Sequence, residues 1–129
     1  MLRAIQKKLS LQIAPNTFEY GNYYETWVIN EVIRISSYLR KDLTLSFLRT
    51  AGDVEVDLVI QTPTEKVIAV EIKSKPLPIG VDFRAGFKAI KSLVPAAESY
   101  CVCPAASARI VEGYPVIPHA EFFEMVRGL

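Results

Sequence analysis

The sequence predicts an α/β domain with a central mixed sheet flanked by helices, and three features point to it. Residues 43 to 75 fall into three short runs of alternating apolar side chains separated by turn signals, the period of strands. On either side of that block, residues 24 to 39 and 83 to 94 repeat their apolar residues at threes and fours, the period of helices. The resulting order is helix, three strands, helix, strand, with shorter extended pieces and a closing helix after it.

A first helix begins at Thr17 or after Gly21-Asn22, carries Tyr24, Trp27, Val28, Val32, Ile35 and Leu39 on one stripe, and ends near Lys41-Asp42. LTLSFLRT follows as a strand up to the Gly52-Asp53 turn pair, then VEVDLVIQT, a turn at residues 63 to 65, and KVIAVEIKSK. An antiparallel meander is the economical topology for the three. KPLPIG reads as a loop, and DFRAGFKAIKSLV as a helix with Phe83, Phe87, Ile90 and Val94 on a greasy stripe and Arg84, Lys88 and Lys91 on a basic one. ESYCVCP is a fourth strand, ARIVEG and YPVIP are short strands or extended loops, and HAEFFEMVRGL is the last helix. Residues 1 to 20, with Lys7-Lys8 and the Pro15-Asn16 break, form an appendage, and residues 21 to 129 form one domain.

At 129 residues and 50% hydrophobic, the chain has enough apolar side chains for a real core. Fifteen basic against fourteen acidic residues leave a formal charge of +1, which argues against a histone-like binder and requires a local patch to hold any polyanion. No apolar run approaches the roughly 20 residues of a membrane helix, and MLRAIQKKLSLQIAPN has no h-region of signal-peptide length. A cytoplasmic protein with no membrane partner is expected. Cys101 and Cys103 alternate onto one strand face, too close for an unstrained disulfide and without a zinc set around them, and read as buried thiols.

The chemistry lies in residues 54 to 75. Alternation sets Val54, Val56, Leu58 and Ile60 on one face of their strand and Glu55, Asp57 and Val59 on the other; in the next strand Ile68, Val70 and Ile72 oppose Ala69, Glu71 and Lys73. Thirteen residues separate Asp57 from Glu71, so the two need not stand directly opposite, but strand twist and a bulge would bring them together. Converging carboxylates repel one another unless a cation sits among them, and oxygen donors favour a hard ion such as Mg²⁺ or Mn²⁺ that keeps places for water and phosphate. Lys73, on the face of Glu71, would orient an attacking water and stabilise charge on a phosphate. An exposed sheet face with ordinary Glu-Lys pairs is the competing reading. VIAVEIK, apolar at nearly every other position, looks covered on both faces and speaks against it.

Asp57 followed by Glu71-Ile72-Lys73 at the end of the next strand resembles the signature of the PD-(D/E)XK nuclease superfamily, whose core order is also helix, three-stranded meander, helix, strand. More specifically, GNYYETWVINEVIR, SFLRTAGDVEVDLVI and VIAVEIKSK resemble the C-terminal nuclease-like domain of unknown function attached to prokaryotic AAA+ ATPases. The resemblance implies a restriction-endonuclease-like fold and a metal-dependent nuclease acting on DNA. It makes Asp57 and Glu71 ligands of Mg²⁺ or Mn²⁺, with the Ile72 carbonyl as a third, and Lys73 the catalytic lysine. Glu25 becomes an acid that binds the metal directly or through water, with Glu31 as a second choice and Glu55 behind Asp57. The chain has no GxxxxGK[ST] loop, so an ATPase would be a missing partner module, and residues 1 to 20 resemble the linker to it.

Lys75, Arg84, Lys88 and Lys91 are candidate phosphate contacts beside the metal site, or a solvated helix face. Arg49 is placed to reach the site or to pair with Asp53 or Glu55, and His119, without a catalytic partner, reads as a capping or surface residue. Trp27, Tyr23, Tyr24 and Tyr100 read as core or core margin. Two alternatives stay open: a catalytically silent nuclease-like domain for nucleic-acid binding or protein interaction, and a nuclease directed at RNA. A homodimer would let two sites cut both strands.

Overall fold

The apolar periods are realised as layers around a six-stranded mixed sheet in a computed structural model that describes residues 20–52 and 54–129. Residues 1–19 of the expected appendage, and Asp53, lie outside the described residues. The chain runs through α1, Tyr20–Tyr38, then β1, Thr44–Arg49, β2, Glu55–Gln61, and β3, Val67–Ile72. A 3-10 turn at Gly80–Asp82 leads into α2, Arg84–Leu93, followed by β4, Glu98–Cys103. The remainder is β5, Arg109–Val111, β6, Tyr114–Pro118, and α3, His119–Arg127.

The spatial strand order is β1-β2-β3-β4-β6-β5. The first three strands form the expected antiparallel meander. β3, β4 and β6 run parallel, and β5 returns antiparallel at the edge. The β5–β6 connection is a two-residue turn in which Glu112 and Gly113 both take positive φ, 51° and 85°, the requirement of a type I′ hairpin.

Two cores lie on the two faces of the sheet. On one, Val28, Ile29, Val32 and Ile35 of α1 and Phe122, Phe123 and Val126 of α3 pack on Leu58, Ile60, Ile68, Val70 and Ile72. On the other, Phe83, Phe87 and Ile90 of the α2 segment cover Val56, Ala69, Val116 and the free, buried Cys101 and Cys103. Burial pushes the Cys101 thiol up to about 12, which fits an inert packing residue.

Three expectations need correction, the simplest being Tyr23, read as core or core margin and in fact exposed. Val56 does not share a face with Leu58 and Ile60; it packs with Ala69 on the α2 side. The cause is a bulge in β2: Ser46 pairs with Val59 and Leu48 with Val56, so Asp57 and Leu58 together stand opposite Phe47, and the extra residue reverses the alternation. His119 is not the helix cap, which is Pro118, and it is half-buried rather than free at the surface. Its Nδ1 is hydrogen-bonded to the Tyr24 hydroxyl at 2.9 Å, and its ring meets Trp27 edge to face at 4.8 Å, so it ties the start of α3 to α1.

Among the described residues, no helix is long and apolar enough to cross a membrane. Phe122, with no exposed surface, should cost about 3–5 kcal/mol when cut to alanine. A lower urea midpoint at unchanged m-value is the measurement.

Candidate active site

The β2–β3 ladder pairs Gln61 with Val67 through to Leu58 with Val70, and Asp57 and Glu71 are the next residues on the two strands beyond that last pair. The two carboxyls come together there, each acting on the ionisation of the other. At that step the backbone ladder ends, and the Asp57 carboxylate takes its place: Oδ2 accepts the Ile72 N–H at 2.8 Å. The other edge of β3 stays zipped to β4, with Glu71 beside Cys101 and the Lys73 N–H donating to the Val102 carbonyl at 2.9 Å. Glu71 is therefore held on a strand paired on one side and opened on the other.

Glu71 is buried, at 3% exposure, and Lys73 Nζ lies 3.6 Å from its Oε2. Burial, and then the charge of Asp57, push the Glu71 carboxyl up to about 9, against the pull of Lys73. Burial also raises Asp57, opposed by the Ile72 N–H and Lys73. The interaction between the two carboxyls lowers Asp57 and raises Glu71, so the pair titrates as a unit. Lys73 is pulled down by burial but raised overall by Glu71 and Asp57, and stays cationic.

Glu25 reaches the same field from α1. Burial first, then Asp57 and Glu55, push it up to about 7, with Lys73 opposing. Glu31 is not drawn in; it pairs with Arg34 on the outside of the helix. Glu55 is exposed and lies 3.4 Å from Arg49.

Asp57, Glu71 and Lys73 open into a cleft of about 290 Å³ whose remaining wall includes Glu55, Val81, Asp82 and Gly86. Gly86 went unnoticed in the sequence although a glycine inside a helix costs about 1 kcal/mol against alanine. A Cβ there would stand 2.7 Å from both the Glu55 carbonyl oxygen and Glu71 Oε1. Its absence lets α2 close directly over the carboxyls.

The basic candidates separate. Lys75 borders the cleft through Asp82, 2.7 Å away. Arg84 pairs with Glu112 at 3.0 Å. Lys88 and Lys91 line a different and larger open groove of about 810 Å³, with Glu98, Tyr100 and Tyr114. That groove holds no buried carboxyl cluster, so the smaller cleft is the chemical candidate despite its size.

An all-oxygen pair of buried carboxyls opposed by the Lys73 ammonium suits a hard cation that takes one or two protein carboxylates and completes its shell with water. The wider set is less well formed. Among the described residues, no group of three or more His, Cys, Asp or Glu side chains is arranged to hold a metal ion, so Glu25 does not complete a three-carboxylate cage with Asp57 and Glu71.

Fold and cluster together define an α/β domain with a buried carboxyl and lysine group at the opened end of its sheet. The family model of a domain of unknown function, DUF4143, matches residues 20–122, and the chain belongs to that family. Protein VC1899 from Vibrio cholerae has a similar structure, with 17% identity and a TM-score of 0.47 over 81% of this chain. The match covers 31% of VC1899, so this chain spans less than a third of that protein. No curated protein matches.

Gly86→Ala should cost about 1–3 kcal/mol, because the Glu55 carbonyl is backbone and cannot swing aside. Unfolding in urea measures it, and a neutral result would mean that α2 sits further from the sheet. Glu71 titrates near 4.5 in the unfolded chain and near 9 when folded. Between those values the folded state binds more protons, so this group's contribution to stability falls as pH rises. Glu71→Gln, neutral throughout, should lose that part of the slope in melts run in EDTA; an unchanged slope would mean that Glu71 is ionised in the native protein.

Proposed function

We propose that the domain is a metal-dependent nuclease of restriction-endonuclease-like fold that hydrolyses DNA phosphodiester bonds. The observation that carries this reading is the shared cleft of Asp57, Glu71 and Lys73 just beyond the last β2–β3 ladder pair, with Lys73 3.6 Å from Glu71. Asp57 and Glu71 would hold Mg²⁺ or Mn²⁺, with the Ile72 carbonyl as a further donor and Glu25 acting through water. The bound ion would lower the pKa of a water and offset the charge of the phosphate.

The chain's own groups divide the remaining work. The Ile72 N–H fixes the direction of the Asp57 carboxylate. The Lys73 ammonium, kept charged by its acidic neighbours, is suited to donate to a phosphate oxygen as negative charge builds there. Glu25, near 7, is poised to exchange a proton with water at neutral pH. α2, seated through Gly86, shields one side of the pair from solvent.

An AAA+ ATPase module and a second copy of the chain are the partners that this reading anticipates. One observation favours a second reading, a catalytically silent domain that binds nucleic acid or protein: the absence, among the described residues, of a ready three-ligand metal set.

The decisive experiment incubates the protein with supercoiled, linear and branched DNA in Mn²⁺, Mg²⁺ or EDTA, beside Asp57→Asn and Lys73→Ala. Cutting should require metal and vanish in both variants while their melts stay cooperative, since the amide oxygen introduced by Asp57→Asn still accepts the Ile72 N–H. Mn²⁺ at 100 times its Kd should stabilise the native protein by about 2.7 kcal/mol, and Asp57→Asn much less. Folded protein that neither cuts nor responds to Mn²⁺ would favour the silent domain.

A further inference from the structure

The loop from β3 to α2 uses its polar groups to fasten itself. Lys75 Nζ lies 2.7 Å from Asp82 Oδ2, and the same oxygen accepts the Ile79 N–H at 2.8 Å. Arg109 donates to the Pro78 carbonyl at 2.7 Å. The Glu112 carboxylate, paired with Arg84, occupies the space where a Cβ on Gly80 would be.

What this loop presents to water is aliphatic. Leu77, Ile79 and Val81 are 69%, 57% and 65% exposed, and none of them belongs to either core. Three exposed aliphatic side chains lie close together in sequence on a loop tied down at this many points. The last of them reaches the chemistry: Val81, with Asp82, lines the cleft of Asp57, Glu71 and Lys73.

We infer that Leu77, Ile79 and Val81 pack against unpaired bases beside the scissile phosphate, so that the site selects single-stranded or locally unpaired nucleic acid over regular duplex. This rests on the phosphodiesterase reading of the cleft. A nucleotide chain that sets a phosphate at Lys73 has one apolar surface to offer a neighbouring aliphatic ridge, the faces of its bases. A regular duplex hides those faces in its stack and would lay its charged backbone against the ridge, stripping phosphates of water with no partner in return. A splayed strand covers the ridge with a base, as aliphatic wedges do at unstacked steps. Because the ridge is already fastened, little ordering entropy opposes the contact.

The test uses the full chain in Ca²⁺ in place of Mg²⁺ and compares it with Leu77→Ser/Ile79→Ser, exposed changes outside the cleft wall whose melts should stay native. Fluorescence anisotropy reads binding of a labelled oligodeoxynucleotide as single strand, as duplex and as duplex with a frayed end. The native protein should bind the unpaired forms about tenfold more tightly than duplex, and the double variant should lose most of that preference while keeping its duplex affinity. A 2-aminopurine in the single strand should brighten on binding to the native protein and not to the variant. Equal native affinity for all forms, or a preference that survives the double change, overturns this inference and leaves the nuclease reading standing. The same holds if the variant changes self-association but not nucleic-acid binding, which would make the ridge a protein contact. No binding of any form overturns both.

Discussion

The bond from the Ile72 N–H to the Asp57 carboxylate is what the rest of the site depends on. An antiparallel pair continued past Leu58 and Val70 would consume every main-chain group of both strands and leave no opening between them. Separating the strands without a substitute would strand a buried N–H, at a cost of about 1–3 kcal/mol. Asp57 resolves this by taking the donor with its own side chain, so that β3 keeps its hydrogen bonds while its edge opens. The bulge opposite Phe47 contributes on the other edge of β2, where the extra residue turns the chain at Asp57.

An opening lined by carboxyls brings an electrostatic problem. Glu25, Asp57 and Glu71 share one field with the ammonium of Lys73, and burial raises all three carboxyls. Full ionisation would leave uncompensated negative charge in a poorly solvated place. A proton on Glu71, raised to about 9, and partial protonation of Glu25, raised to about 7, relieve that charge near neutral pH. Protonation is thus how a cluster of converging, buried carboxyls limits its own repulsion.

Much of this was legible because periodicity reports burial. Glu71 and Lys73 stood out as polar positions in a strand otherwise apolar on both faces, and Glu71 is indeed buried. The paired strands, the helices and the buried cysteines followed from the same signals. Val56 was misplaced because a bulge changes strand pairing without changing the local pattern: residues 54 to 60 still alternate by the letter, while the faces they address do not. His119 was misjudged because its hydrogen-bond partner is 95 positions away, and no local period encodes that contact. Gly86 left a trace, a poor helix former in mid-helix, but what it approaches became clear only with the sheet in place.

The site also spans both layers of the domain. α1, packed on one face of the sheet, brings Glu25, while α2, packed on the other, brings Gly86 against Glu71. A carboxylate pointing squarely to either face would address only one helix; Asp57, at the bulge on an opened strand end, affects Glu25 and Glu71 together. The charge balance of the cluster therefore depends on the seating of two helices that share no core. Burial, the first cause of the raised Glu25 and Glu71 carboxyls, is thus supplied to the one from the α1 side and to the other from the α2 side, and Asp57 adds its charge to both.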